Sequence, residues 1–570
     1  VMCLVIFSGT TITASAVNIS SDRVSELIDE MSLRDKVTQM MMVDFRKWGT
    51  KRSSATDFVE MNDDVSAVIE EYNFGSVILF ANNIKETDQS YYLVRGMQRA
   101  ATNDGGIPLL ISTDQEGGRV YRLGSGSALP GNMALGATYF ANNSEYAYEA
   151  GKILGSELGS LGINNNLSPV VDVNNNPNNP VIGLRSYSDD STIVGNMAAA
   201  VISGMKEYNV IGCVKHFPGH GDTAIDSHYG LPVVDKSFSE LREVELKPYE
   251  IAVEQGVDMI MTAHILYPQL ESDKILSEKT GAKESLPATM SDDIITDLLK
   301  KDMGFEGIVT TDSMNMAGIS GNWNVTQASI IAINAGVDMV MMPYNLYCKG
   351  DVEKLDVIIE DIVDAVETGE IPESRIDDAV TRILSVKEKN GILDWDEDDY
   401  SLGKALGTVG SENNRQKERE IAAAAVTVVK NEGSILPLDL SVKNKVLCII
   451  SDESQCAQPI MAWNRAKQEN IIPESAEIDY YCFDEDSLTD TGLVDSLKEK
   501  IDEADTVIVF SEVSSVDQIG YKHWKSSIPN EVVKYAEEND LNTVVISCDK
   551  PYDVQLYDDA DAIMVVNPVT

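Results

Sequence analysis

The sequence predicts an α/β protein: a (β/α)8 barrel of the TIM type followed by a smaller α/β sandwich domain. Three observations predict it. Short apolar runs alternate with helical patterns eight times along the first part of the chain. Ionisable residues gather at the C-terminal ends of those runs. A second set of apolar runs follows a polar, glycine-containing stretch.

The eight runs are MMMVDF (40–45), FGSVILF (74–80), IPLLISTDQE (107–116), INNNLSPVVDV (163–173), VIGCVKHFPG (210–219), VDMIMTAHI (257–265), GIVTTDSM (307–314) and VDMVMMP (337–343). They are nearly continuous in Val, Ile, Leu and Met, as parallel strands buried on both faces should be. Segments such as TIVGNMAAAVISGMKEYN, SDDIITDLLKKDMG and VTQASIIAINAG carry helical spacing, and Gly or Asn follows several of them. Eight strands alternating with helices is the count for a closed barrel. Asp44, Asp114, Asp172, Lys215, His216, His264 and Asp312 then fall at the strand ends that face the active site in such barrels. One such Asp could be a helix cap, but a whole ring of ionisable groups at one end is not explained by capping.

Residues 17–400 are assigned to this barrel, two further helical stretches (351–370 and 374–390) included. The polar stretch within 401–440 reads as a linker. Residues 441–570 hold KVLCIISD (445–452), IDYYCF (478–483), ADTVIVFS (504–511), LNTVVISC (541–548) and ADAIMVVN (560–567), separated by helical stretches. This pattern predicts a smaller doubly covered sheet. The last run has no helix after it, so an exposed edge and a trimmed C-terminus are expected. At the other end, VMCLVIFSGTTITASA is apolar and ends in small residues, as the remnant of a secretory signal does; residues 1–16 are assigned to it, and export is expected.

Lys and Arg number 45 against 92 Asp and Glu, a net charge of −47. Such acidity argues against nucleic-acid partners and anionic membrane surfaces, because both demand clustered cations. No run is long enough to span a bilayer. Seven cysteines in 570 residues are too sparse for a disulfide scaffold, and no C-x-x-C spacing offers a zinc site.

The densest chemistry lies in KHFPGHGDTAIDSHYGLP (215–232), which holds three of the five histidines: His216, His220 and His228. Its glycines make it a loop. A metal site is one reading, but H-x-H and H-E-x-x-H spacings are absent and Lys215 would place positive charge beside the ion. The other reading pairs Asp226 with His228. Residues i and i+2 of an extended loop share a side. The carboxylate then fixes the imidazole tautomer and leaves the other ring nitrogen for acid/base work. In GFEGIVTTDSMNMAG (304–318), Asp312 ends the seventh strand, either as a helix cap or as a rigidly held carboxylate nucleophile. In STDQEGGRVYRL (112–123), Asp114 ends the third strand, with Arg119 and Arg122 close behind; acid and arginine together suit a polyhydroxylated ligand. Arg185 follows the fourth strand in VIGLRSYS.

Taken in order, DQEGGRV, GLRSYS, KHFPGHGDTAIDSH and GIVTTDSMNM resemble glycoside hydrolase family 3, in particular its β-N-acetylglucosaminidase branch. The resemblance runs from about Met31 onward and includes VTVVKNEGSILPL (426–438), which is similar to the start of the family's second domain. It implies a retaining mechanism with Asp312 as nucleophile and His228, paired with Asp226, as acid/base. It implies that Asp114, Arg122, Arg185, Lys215 and His216 hold the sugar hydroxyls and N-acetyl group. His264 is added to that set from its strand-end position. The implied partner is a carbohydrate, an N-acetylglucosaminide of peptidoglycan or chitin origin, with no metal and no cofactor. A β-glucosidase-like activity and phosphorolysis are the alternatives, the second because an imidazole that has given up its proton does not repel phosphate.

Overall fold

The computed structural model describes residues 21–443, 445–451, 455–520 and 522–566. The expected signal remnant, 1–16, lies outside them. The first unit is an eight-stranded parallel sheet rolled into a barrel. Its strands are β1 (Met41–Asp44), β2 (Ser76–Leu79), β3 (Leu110–Thr113), β4 (Asn165–Asn166), β5 (Ile211–Phe217), β6 (Met259–Thr262), β7 (Ile308–Thr310) and β8 (Val340–Met341). They pair in the order β7-β6-β5-β4-β3-β2-β1-β8. A parallel bridge between Thr310 and Met339 joins the two ends of the sheet.

The strands are buried along their whole length, which is why their sequences show no alternation. Each fully buried Val, Ile or Leu among them contributes roughly 1.5–3 kcal/mol. The surrounding helices present matching stripes: Lys349–Glu367 buries Leu355, Ile358, Ile359 and Ile362, and Glu373–Lys389 buries Ile376, Val380, Ile383 and Leu384. Their ends are locally encoded. Asn324 accepts from the Gln327 N–H to start Val325–Ala335, and Gly336 ends that helix at φ 114°, a conformation that disfavours any side chain.

Strand β4 is far shorter than the run 163–173. Pro169 has no N–H to donate, and asparagine amides replace ladder bonds: Asn164 Oδ1 accepts from Ile111 N at 2.8 Å and Asn166 Oδ1 from Gln115 N at 2.9 Å. The pairing resumes at the Val170–Lys215 bridge.

The stretch 401–440 is not a plain linker. Helices Leu402–Thr408 and Glu412–Ala425 lie within it, and Ile421 joins the barrel core. Gly410 N and Asn414 Nδ2 both donate to Glu157 Oε1, at 3.0 and 3.1 Å, on a barrel helix. The strand β9 (Thr427–Asn431) then opens the second sheet, with β10 (Lys445–Ile450), β11 (Glu477–Cys482), β12 (Thr506–Ser511), β13 (Asn542–Ser547) and β14 (Ala562–Val565). The order is β9-β14-β13-β12-β10-β11, and only β9 runs antiparallel to its neighbour. The expected exposed last strand, β14, is thus flanked on both sides. Apolar clusters cover both faces of the sheet.

Asp44, which ends β1, is fully buried. Burial pushes its carboxyl up to about 6, against the opposing pull of Arg46, whose Nε lies 3.6 Å away. A carboxyl raised on folding destabilises the native state as pH rises from about 4 through about 6. Asp44→Asn is therefore expected to be about 2–3 kcal/mol more stable than wild type at pH 7.5 and no more stable at pH 4, because each tenfold change in proton affinity is worth about 1.4 kcal/mol. Urea unfolding at the two pH values checks this.

Candidate active site

A pocket of about 560 Å³ opens at the C-terminal ends of the barrel strands. Asp114, Arg122, Arg185, Lys215, His216, His228 and Asp312 all line it. These residues are separated by up to 198 positions in sequence (114 to 312), so the barrel closure is what assembles them.

One wall is an ion-paired cluster. Lys215, projecting from β5, places Nζ 2.7 Å from Asp114 Oδ1 and 2.9 Å from Glu116 Oε1. Arg185 grips Glu116 with two bonds, Nη2 to Oε1 at 2.8 Å and Nε to Oε2 at 2.9 Å. Arg122 stands 4.0 Å from Asp114. Burial alone would raise the Glu116 carboxyl, but Arg185 and Lys215 outweigh it and hold the group well below its ordinary range. Burial opposes the charge on Lys215 and Arg185 too, and their carboxylate partners overcome it, so both are held above their ordinary values. Sequence reasoning misses Glu116. A signal for it exists: it stands two residues beyond Asp114, on the same side of an extended segment.

The histidines have separate jobs. His216 Nδ1 meets Asp172 Oδ2 at 2.7 Å, and the backbone N–H groups of His216 and His220 donate to Asp172 Oδ1. His220 is enclosed by Thr223 Oγ1 at 2.8 Å and Ser227 Oγ at 3.0 Å, and burial pushes it down to about 4, so it is neutral and braces the loop. His228 Nδ1 lies 2.8 Å from Asp226 Oδ1, which also accepts from the His228 N–H at 2.8 Å. An ionised carboxylate only accepts, so Nδ1 carries the proton and Nε2 is left for a ligand. The imidazole is 59% exposed, the Asp226 carboxylate 22%. The three imidazoles thus hold three different partner sets rather than one shared centre, and among the described residues no group of three or more His, Cys, Asp or Glu is placed to hold a metal ion.

Asp312 follows β7. It does not cap the next helix, Ala317–Ser320, whose cap position is Met316. Its Oδ1 accepts from Ser313 N at 2.6 Å. Burial would raise it, yet His264, His216, that backbone N–H and Lys215 together hold it below the usual carboxylate value. It is ionised at neutral pH and half-buried in the pocket wall, as a nucleophile that must meet substrate has to be.

Two expectations need correction. His264 is not a pocket residue: it is buried behind Asp312, with Nε2 donating to Ser313 O at 3.1 Å and Nδ1 against Thr289 Oγ1 at 2.8 Å. It does stand at a strand end, but its ring turns into the barrel wall. Arg119 does not line the pocket itself; it pairs with Asp549 of the second domain at 2.7 Å. The pocket also includes Arg46, Phe80 and Asn345, which follow β1, β2 and β8, none of them singled out from the sequence.

A held carboxylate, an oriented imidazole and hydroxyl-binding ion pairs around one opening are the parts that cleavage of a glycosidic bond requires. Comparison with known proteins places the chain in that class. The model of the glycosyl hydrolase family 3 N-terminal domain matches residues 32–386. Beta-hexosaminidase A of Pseudoalteromonas piscicida is 38% identical over 427 residues, 73% of this chain and 70% of that protein. A beta-N-acetylglucosaminidase/beta-glucosidase of Cellulomonas fimi is 31% identical over 345 residues, 60% of this chain and 58% of that protein. The solved structure of a glycoside hydrolase family 3 beta-N-acetylglucosaminidase from Paenibacillus sp. str. FPU-7 superposes with a TM-score of 0.74 at 30% identity, over 94% of this chain and 93% of that one. The chain belongs to glycosyl hydrolase family 3 and is a glycoside hydrolase.

Proposed function

We propose that the chain is an exo-acting, retaining β-N-acetylglucosaminidase that removes terminal N-acetylglucosamine from peptidoglycan- or chitin-derived fragments. The observation that carries the reading is ionised Asp312 in one pocket with the His228–Asp226 pair. The similarity to proteins named for N-acetylhexosamine cleavage supports the choice of sugar. In this reading Asp312 attacks the anomeric carbon while His228 gives a proton to the leaving oxygen. His228 then takes a proton from water, which displaces Asp312 from the sugar. Asp226 keeps the imidazole in the required tautomer. Asp114, Arg122, Arg185, Lys215 and His216 hold the hydroxyls and acetamido group. The apolar start of the sequence supports export to the cell wall or beyond. Among the described residues no helix is long and apolar enough to cross a membrane.

Aryl N-acetylglucosaminide and aryl glucoside, each assayed with and without phosphate, test the reading. Turnover of the first should exceed that of the second by about 100-fold or more, because a site built to hydrogen-bond a substituent rejects analogues lacking it. Free N-acetylglucosamine should be the product. A preference for the glucoside overturns the choice of sugar, and a sugar 1-phosphate formed in phosphate buffer replaces hydrolysis with phosphorolysis.

A further inference from the structure

Among the described residues the second domain supplies no group to the pocket, yet one of its segments reaches the pocket's supports. Residues 548–557 leave the C-terminal end of β13 and form a helical turn, Pro551–Leu556. The segment is built rigidly. Fully buried Asp553 accepts from Ser547 Oγ at 2.6 Å and from Ser511 Oγ, which in turn meets the Tyr557 hydroxyl at 2.6 Å. Lys550 N donates to Val513 O at 3.1 Å. A buried, fully partnered network of this kind fixes a loop in one conformation.

From this base three side chains cross to the barrel. Asp549 pairs with Arg119, the Tyr552 hydroxyl accepts from Asn174 Nδ2 at 3.0 Å, and Lys550 Nζ donates to Asn179 O at 2.8 Å. Lys550 is only 6% exposed. Its stem occupies a slot that exists because residue 183 is glycine: φ is 42° there, and a Cβ would fall 2.9 Å from Lys550 Cε. Asn179, itself buried, works in two directions. Its Nδ2 donates to His220 O at 2.7 Å and Gly221 O at 2.9 Å, on the loop that carries Asp226 and His228. Its Oδ1 accepts from Val181 N at 2.9 Å and Ile182 N at 2.7 Å, on the segment that leads to Arg185.

We infer that Lys550 is a positioning residue: through Asn179, it holds the acid/base loop in its working geometry, and the second domain acts on the reaction by this route. The kinetic part rests on the function proposed above. A small displacement of His228 from the leaving oxygen lowers the rate of proton transfer without removing a substrate contact, so the effect belongs in kcat.

The full chain is compared with Lys550→Met, which keeps the stem and loses the ammonium, and with Lys550→Arg, which keeps a donor. With aryl N-acetylglucosaminide, kcat of the Met variant should fall about tenfold or more while KM stays within about threefold, and Arg should recover much of the loss. Amide hydrogen exchange in 216–230 should quicken in the Met variant, with exchange in β12 and β13 unchanged. Gly183→Ala, which crowds the slot from the barrel side and changes no residue of the second domain, should quicken the same amides if Lys550→Met does not fold. Wild-type kcat together with wild-type exchange overturns the inference. A loss confined to KM assigns Lys550 to the Arg185 segment and overturns the link to the acid/base loop. If the wild-type chain cleaves no N-acetylglucosaminide, the proposed function fails, and hydrogen exchange alone decides the role of Lys550.

Discussion

Asp312→Ala is expected to lower kcat on aryl N-acetylglucosaminide by on the order of 10⁴-fold or more, the scale seen when a covalent nucleophile is removed. Loss of folding does not explain such a result. The side chain caps no helix, and its hydrogen bond is to its own neighbour, Ser313 N. His264 behind it keeps its bonds to Thr289 and Ser313. What is lost is a pocket-lining carboxylate that His264, His216 and Lys215 keep ionised against desolvation. A fluorinated N-acetylglucosaminyl donor that stalls the second step should add one sugar mass to the wild-type peptide containing Asp312 and none to the variant. A sugar adduct that persists in the variant, or that maps to another residue, sinks the assignment of Asp312, and the absence of any adduct on the wild type counts against the retaining mechanism.

The barrel and most of its pocket are legible in the sequence for one physical reason. Parallel strands buried on both faces must be apolar throughout, so each run stands out, and the first ionisable residue after a run sits at the reactive end. Asp114 and Asp312 emerge that way, and Lys215 and His216 stand at the close of such a run. What that logic does not supply is direction around the barrel wall. His264 obeys the strand-end rule as well as Asp312 does, yet its ring packs behind the pocket, because a strand end has an inward and a lateral side. Helix Glu412–Ala425 is hidden for a different reason. Only Ile421 and Ala425 of its fourteen residues are buried, so its apolar stripe is too faint to separate it from a linker. The Lys550–Asn179 contact joins residues 371 apart and leaves no local pattern at all. It depends on a glycine slot in one domain and a rigid turn in the other, and neither has meaning until both are folded.

Glu116 is the residue whose removal should be felt most widely. Glu116→Ala leaves Arg185 without the carboxylate it grips twice, and Lys215 with Asp114 alone. Breaking one partner of a buried ion pair typically costs about 3–5 kcal/mol, because the remaining charge stays buried without compensation. The variant should therefore unfold at a markedly lower urea concentration at pH 7 and also lose affinity for N-acetylglucosamine, since Arg185 and Lys215 line the pocket. The pH dependence separates this from a simple cavity. The Glu116 carboxyl is depressed on folding, so the stability it contributes is fully present above its ordinary value of 4.5 and is lost as pH falls below that toward the folded value. Glu116→Gln keeps the shape but has no proton to take up, so its stability should decline less steeply than wild type over that acidic range while starting lower at pH 7. Equal stability of wild type and Glu116→Gln at pH 7 would mean that the two cations are satisfied elsewhere and that the cluster does not anchor the pocket. A deficit at pH 7 that shrinks on acidification, together with weaker sugar binding, would tie substrate grip and barrel stability to the same carboxylate.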